Sequence, residues 1–150
     1  MKIENQVVTI EQAKKLKELG VTAEPLFWYV IDIDPITPLD IIQKWQHSNF
    51  DQCEKYSAFT VAELGVMLPD GRDIDPEYTQ ITTCRNYSDV SLYACFCEKV
   101  YGLGAPTIEE VGKTEAEARA AMLIYLLENH LTTPEEVNQR LSNKTTTNEK

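Results

Sequence analysis

The sequence of 150 residues contains no long hydrophobic run, and nothing in it approaches the ~18 consecutive apolar residues that a membrane span needs. The opening segment, Met1 to Ile10, also lacks the extended apolar stretch of a secretion signal, so a cytoplasmic location is expected. Positive charge is scarce. With 14 basic against 24 acidic side chains the net charge is −10, which repels a phosphate backbone unless cations gather on one face. Neither nucleic acid nor membrane is expected as a partner.

Histidine is rare too. His47 and His130 fall at the ends of expected helices, without a Ser, Cys or Asp partner nearby in sequence. There is no G-x-G-x-x-G, no phosphate-binding loop and no G-x-S-x-G, which removes the commonest nucleotide and acyl-transfer chemistries. Asp32 and Asp34, and the cluster Asp70, Asp73 and Asp75, lack the glycine and ligand spacings of a calcium loop and read as strand-exit and turn residues. Cys53, Cys84, Cys95 and Cys97 read as reduced thiols, since no export signal accompanies them. In the expected hairpin Cys84 lies opposite Ser91, about four residues or ~13 Å from Cys95, too far for one tetrahedral zinc. No catalytic residue, metal or cofactor is expected.

What is present is the material of a folded α+β domain. A hydrophobic share of 43% at this length suffices to bury roughly two-thirds of the unfolded chain's surface around one core. Thr9 and Gln12 form a capping box and Gly20 a stop, predicting a helix from Ile10 to Leu19 with Ile10, Ala13, Leu16 and Leu19 on one stripe. Leu26 to Ile33 reads as a central strand buried on both faces. Thr37, Pro38 and Asp40 predict a short helix from Pro38 to Gln46, and Thr60 with Glu63 opens another that Pro69 ends. Asp70 to Pro76 is turn chemistry.

Tyr78 to Cys84 and Val90 to Val100 read as a β-hairpin, followed by a strand from Thr107 to Val111. Thr114 and Glu117 start a helix from Glu115 to Asn129, with Ala118, Met122, Tyr125 and Leu126 on its core side and Leu123 and Leu127 flanking. A last short helix carries Val137 and Leu141, and the polar segment 142–150 is expected to be a disordered tail, leaving 1–141 as one domain. The predicted architecture is an antiparallel sheet of three or four strands with helices packed mainly on one face.

Within the hairpin, Val90, Leu92, Ala94 and Phe96 alternate with Ser91, Tyr93, Cys95 and Cys97. The first set reads as core. The second face, with Tyr78, Gln80 and Tyr101, is tyrosine-rich and suits protein binding if nothing covers it; cover by Trp28, Trp45 and their neighbours is the alternative. Glu109, Glu110 and Glu117 form an acidic stretch beside it that a basic partner could recognise.

The order helix, three strands, helix across Thr60 to Glu128, with G-L-G before T-E-A-E-A-R-A-A-M, resembles a double-stranded RNA-binding domain. The basic cluster that such domains carry at the start of their second helix is missing, because Lys113 and Arg119 stand among Glu109, Glu110, Glu115 and Glu117. A second resemblance is to a family of small phage- and prophage-encoded proteins of gut anaerobic bacteria. It rests on A-K-K-L-K-E-L-G-V (Ala13 to Val21), L-F-W-Y-V (Leu26 to Val30), Y-S-A-F-T-V-A-E-L-G-V-M-L-P (Tyr56 to Pro69) and T-E-A-E-A-R-A-A-M-L-I-Y-L-L-E-N (Thr114 to Asn129). That resemblance implies a mobile-element setting and no particular chemistry. The expected function is a non-enzymatic phage or prophage accessory protein that binds another protein, for which inhibition of a host factor is one fitting role, with a thiol- or metal-dependent enzyme using Cys95 or Cys97, and an RNA-binding domain, as the alternatives.

Overall fold

The computed structural model describes residues 2–31, 40–43, 53–86, 88–99 and 108–147, with the backbone alone at 40, 42, 43 and 144–147. Helix α1, Ile10–Glu18, begins as its sequence dictates. Thr9 Oγ1 accepts from the Gln12 amide at 3.2 Å, and Gln12 Oε1 accepts from the Thr9 amide at 3.3 Å. Gly20, at φ +88°, reverses the chain, and the Gly20 and Val21 amides donate back to Lys17 O and Leu16 O. Asn138, far along the chain, clamps this exit: its Oδ1 accepts from the Thr22 and Ala23 amides, both at 2.9 Å, and its Nδ2 donates to Gly20 O.

The expected central strand is present as β1, Phe27–Ile31, in the middle of a three-stranded antiparallel sheet of order β2-β1-β3, where β2 is Asp40–Gln43 and β3 is Glu54–Ser57. The helix predicted from Pro38 to Gln46 is corrected by this pairing. Its described part, 40–43, lies along β1 in the register Trp28 to Ile42 and Tyr29 to Ile41. Paired with an apolar strand, β-branched Ile41 and Ile42 are better placed extended than in a short helix.

Helix α2, Val61–Met67, follows from the Thr60–Glu63 capping box, and Leu68 is extended before Pro69, as the proline ring requires. The turn chemistry after it includes one short helix, α3, Gly71–Ile74, capped by Asp70. The second sheet, also three-stranded and antiparallel, has the order β4-β5-β6 with β4 Thr82–Arg85, β5 Tyr93–Cys97 and β6 Ile108–Gly112. The fold is thus α+β with antiparallel sheets, as expected, but with two three-stranded sheets where one sheet of three or four strands was expected. Helix α4 spans Glu115–Glu128 and α5 spans Pro134–Thr147, so helix continues past Leu141 into the segment expected to be a disordered tail.

Helix α4 organises the interior. Ala116, Ala120, Leu123 and Leu127 face a cluster built with Leu16, Phe59, Leu64, Met67 and Val137, whereas Ala118, Met122 and Leu126 face Cys95 and the second sheet. Two stripes on one helix mean that it is buried on two sides, the condition in which a helix reads as apolar nearly all round. Each of its fully buried Leu and Met side chains contributes roughly 1.5–3 kcal/mol of transfer free energy.

Candidate functional site: the outer face of the second sheet

The second sheet has one covered and one open face, and the sequence reading assigned them the wrong way round. Tyr93, Cys95 and Ile108 pack against Ala118, Met122 and Leu126 of α4, and Cys95 and Cys97 are both fully buried. Alternation then turns Cys84, Ala94, Phe96, Glu109 and Val111 outward, in the cross-strand rows Cys84–Ala94–Val111 and Thr82–Phe96–Glu109. The helix is seated on the inner face by Gly112, where a Cβ would come within 2.5 Å of the Ala118 amide nitrogen. Tyrosine and cysteine against alanine and phenylalanine did not reveal which set faces inward. The one-residue offset was decided by where α4 could approach.

The predicted surface residues do not converge. Tyr78 is buried, 9% exposed, beneath Lys99, whose ammonium lies 5.4 Å from its ring centroid and bonds to Asp75 and Glu77 at 3.0 and 3.1 Å. Tyr93 packs on the inner face with Arg85 stacked 4.1 Å from its ring centroid. Gln80 is exposed on a separate recess of about 150 Å³ shared with Gly65, Thr83 and Arg119. Glu110 is on the inner face in the row Thr83–Cys95–Glu110, where burial pushes its carboxyl above the usual range. Glu117 works at the start of α4: Glu117 Oε2 accepts from the Lys113 amide at 2.9 Å, and its own amide donates to Thr114 Oγ1. Tyr101 lies outside the described residues. Of the described members of the set, only Glu109 stands on the open face.

That face carries a groove of about 230 Å³, floored by Cys84, Ala94 and Phe96 and edged by Asn86, Glu98 and Glu109. Val111 beside it is 48% exposed, and Val90 in the hairpin loop is 76% exposed; they are two of the three large hydrophobic side chains exposed among the described residues. Apolar exposure on a sheet face is one mark of a docking surface. Phe96 and Val111 were readable in the sequence as strand residues. The exposure of Val111 and the outward turn of half-buried Phe96 were not, because they depend on the seating of α4.

The thiols are placed for packing. Burial pushes the Cys95 thiol up to about 11, against a smaller opposing effect of the Thr83 hydroxyl, and pushes Cys97 up as well. Both are therefore protonated at neutral pH, the opposite of an activated nucleophile. Cys84 pairs with Ala94 rather than lying opposite Ser91 as expected, so it neighbours Cys95 but faces outward while Cys95 faces in. Among the described residues no three His, Cys, Asp or Glu side chains gather as metal ligands would, and no helix is long and apolar enough to cross a membrane. Arg119, the cation nearest the expected RNA grip, bonds to Glu115 at 2.7 Å and to Val61 O at 3.3 Å.

Comparison with protein-family models, with curated proteins and with solved structures gives no match.

Proposed function

We propose that this protein is a non-enzymatic accessory protein that binds another protein through the outer face of its second sheet. The observation that carries the proposal is the groove floored by half-buried Cys84 and Phe96 and buried Ala94, beside exposed Val111 and edged by the polar Asn86, Ser88, Glu98 and Glu109. Interfaces are built around such cores with a polar rim, and a sheet face presents its side chains in fixed geometry at little entropic cost. A phage or prophage setting, with a host protein as the target, is supported by the four sequence blocks alone.

The test is affinity capture from host lysate with the tagged protein and its Val111→Asp variant, after thermal melts have shown equal stability. Because Val111 is 48% exposed, that substitution adds a charge to the surface and leaves the core intact. One stoichiometric protein, captured by the parent and lost from the variant, is the expected result. Capture that is indifferent to Val111→Asp sinks this reading of the face.

A further inference from the structure

The groove has a chemical character beyond being apolar. Among the described residues its lining includes two carboxylates, Glu98 and Glu109, and no cationic side chain. Among the described residues no salt bridge reaches either of them, and the one side-chain hydrogen bond to Glu109 is a long one, 3.5 Å from Asn86 Nδ2. Of the cations on or next to this sheet, Arg85 stacks on Tyr93 and donates to Val90 O, Lys99 is held by Asp75 and Glu77, and Lys113, four residues beyond Glu109, is exposed but does not line the groove. Two carboxylates thus flank an apolar floor in a chain of net charge −10, a potential that attracts cations and repels phosphates.

We infer that the groove takes a lysine- or arginine-bearing segment of a partner protein, one apolar side chain entering over Phe96 and Ala94 while flanking cations meet Glu98 and Glu109. This inference rests on the docking role of the outer face and adds the partner's charge. A second copy of the chain is the poorer occupant, because a two-fold interface sets the same patch against itself and would bring Glu98 and Glu109 against their own images. Nucleic acid offers charge of the wrong sign. A segment with cations around an apolar anchor satisfies floor and rim together, and attraction at the rim also speeds encounter.

The test uses the full chain, isotopically labelled, titrated with three peptides of equal length, each with a central leucine flanked by lysine, by serine or by glutamate. The lysine peptide is expected to bind most tightly and to move the amide resonances of Ala94, Phe96, Glu109 and Val111. Replacing both carboxylates, Glu98→Gln with Glu109→Gln, should weaken that peptide by about 2- to 10-fold and leave the serine peptide unchanged. High salt should reproduce the loss. Serine or glutamate peptides binding as well as the lysine peptide would overturn the charge selection while leaving the docking face standing. Binding of the lysine peptide elsewhere, or none up to about 1 mM, overturns the inference. Self-association that Val111→Asp abolishes would assign the face to a second copy and overturn it too. Loss of the docking role itself is read separately, from lysate capture that Val111→Asp does not change.

Discussion

The carboxylate of Glu63 accepts the amide hydrogen of Leu26 at 2.7 Å, joining the entry of β1 to the first turn of α2 across 37 residues of sequence. Its other oxygen accepts from the Thr60 amide at 2.8 Å and the Thr60 hydroxyl at 2.7 Å, and the side chain is almost wholly buried, 7% exposed. A capping residue has here become a tertiary connection. Three donors satisfy a carboxylate that would otherwise be costly to bury.

Glu63→Ala should therefore destabilise the protein by about 2–4 kcal/mol, since it strands the Leu26 and Thr60 amides as well as removing charge-assisted bonds. Glu63→Gln, which keeps one accepting oxygen, should cost about half as much. Urea unfolding with unchanged slope but lowered midpoint would show it. Equal stability of Glu63→Ala and the parent would mean that water serves these donors equally well.

Gly112→Ala should be among the most damaging small substitutions in the chain. The new methyl would fall 2.5 Å from the Ala118 nitrogen and 2.6 Å from Glu117 Cβ, distances that only a shift of α4 from β6 can relieve. A loss of about 2–4 kcal/mol, comparable to the upper range for overpacking, is expected from calorimetry. A variant as stable as the parent would show that the helix and strand do not meet as closely as drawn.

His130→Gly should stabilise. His130 follows α4 at φ +56°, with its amide bonded to Leu127 O and the next, that of Leu131, to Leu126 O, the arrangement that ends helices on a left-handed residue. Relief of the left-handed penalty for a side chain gives roughly 1 kcal/mol, offset in part by glycine's greater freedom when unfolded. A rise of a few degrees in Tm would agree; a fall would show that the imidazole contributes more than its backbone costs.

Alkali should weaken the fold before arginine titrates. Burial lifts the Cys95 thiol from an ordinary value of 9.0 to about 11, and lifts the Tyr29 hydroxyl, which donates to Val8 O, from 10.0 to about 12. In both cases the native state holds its proton where the unfolded chain has released it, so stability falls as pH rises from about 9 through 11 for Cys95 and from about 10 through 12 for Tyr29. Chemical unfolding at pH 8, 9.5 and 10.5 tests this, with Cys95→Ala expected to flatten part of the slope. In native protein at pH 8, Cys95 and Cys97 should also resist thiol reagents until the chain unfolds.

Much of the helical structure was legible because its signals are local. The side chains of Thr9, Thr60 and Thr114 cap their helices as the sequence implies, and Gly20 ends the first. These depend on residues three or four apart, whose geometry the chain carries with it. The candidate site was far less legible. Glu109 does lie on the open face, but Phe96 and Val111 were assigned to strands without being recognised as facing outward, and Tyr78 and Tyr93 were read as surface although they pack.

Acidity, helix starts at those threonines and a strand within 90–100 with two alternating faces all follow from the amino-acid order alone; the strand is confined to 93–97, with Val90 left in the loop. Only the tertiary structure decided that 40–43 pairs with β1, that α4 serves two sheets, and that Cys95 rather than Phe96 lies inward. The physical reason is that strand pairing and face choice are long-range competitions. Ala94 with Phe96 and Cys95 with Cys97 are close in hydrophobicity, so a single close approach, α4 over Gly112, selected between them.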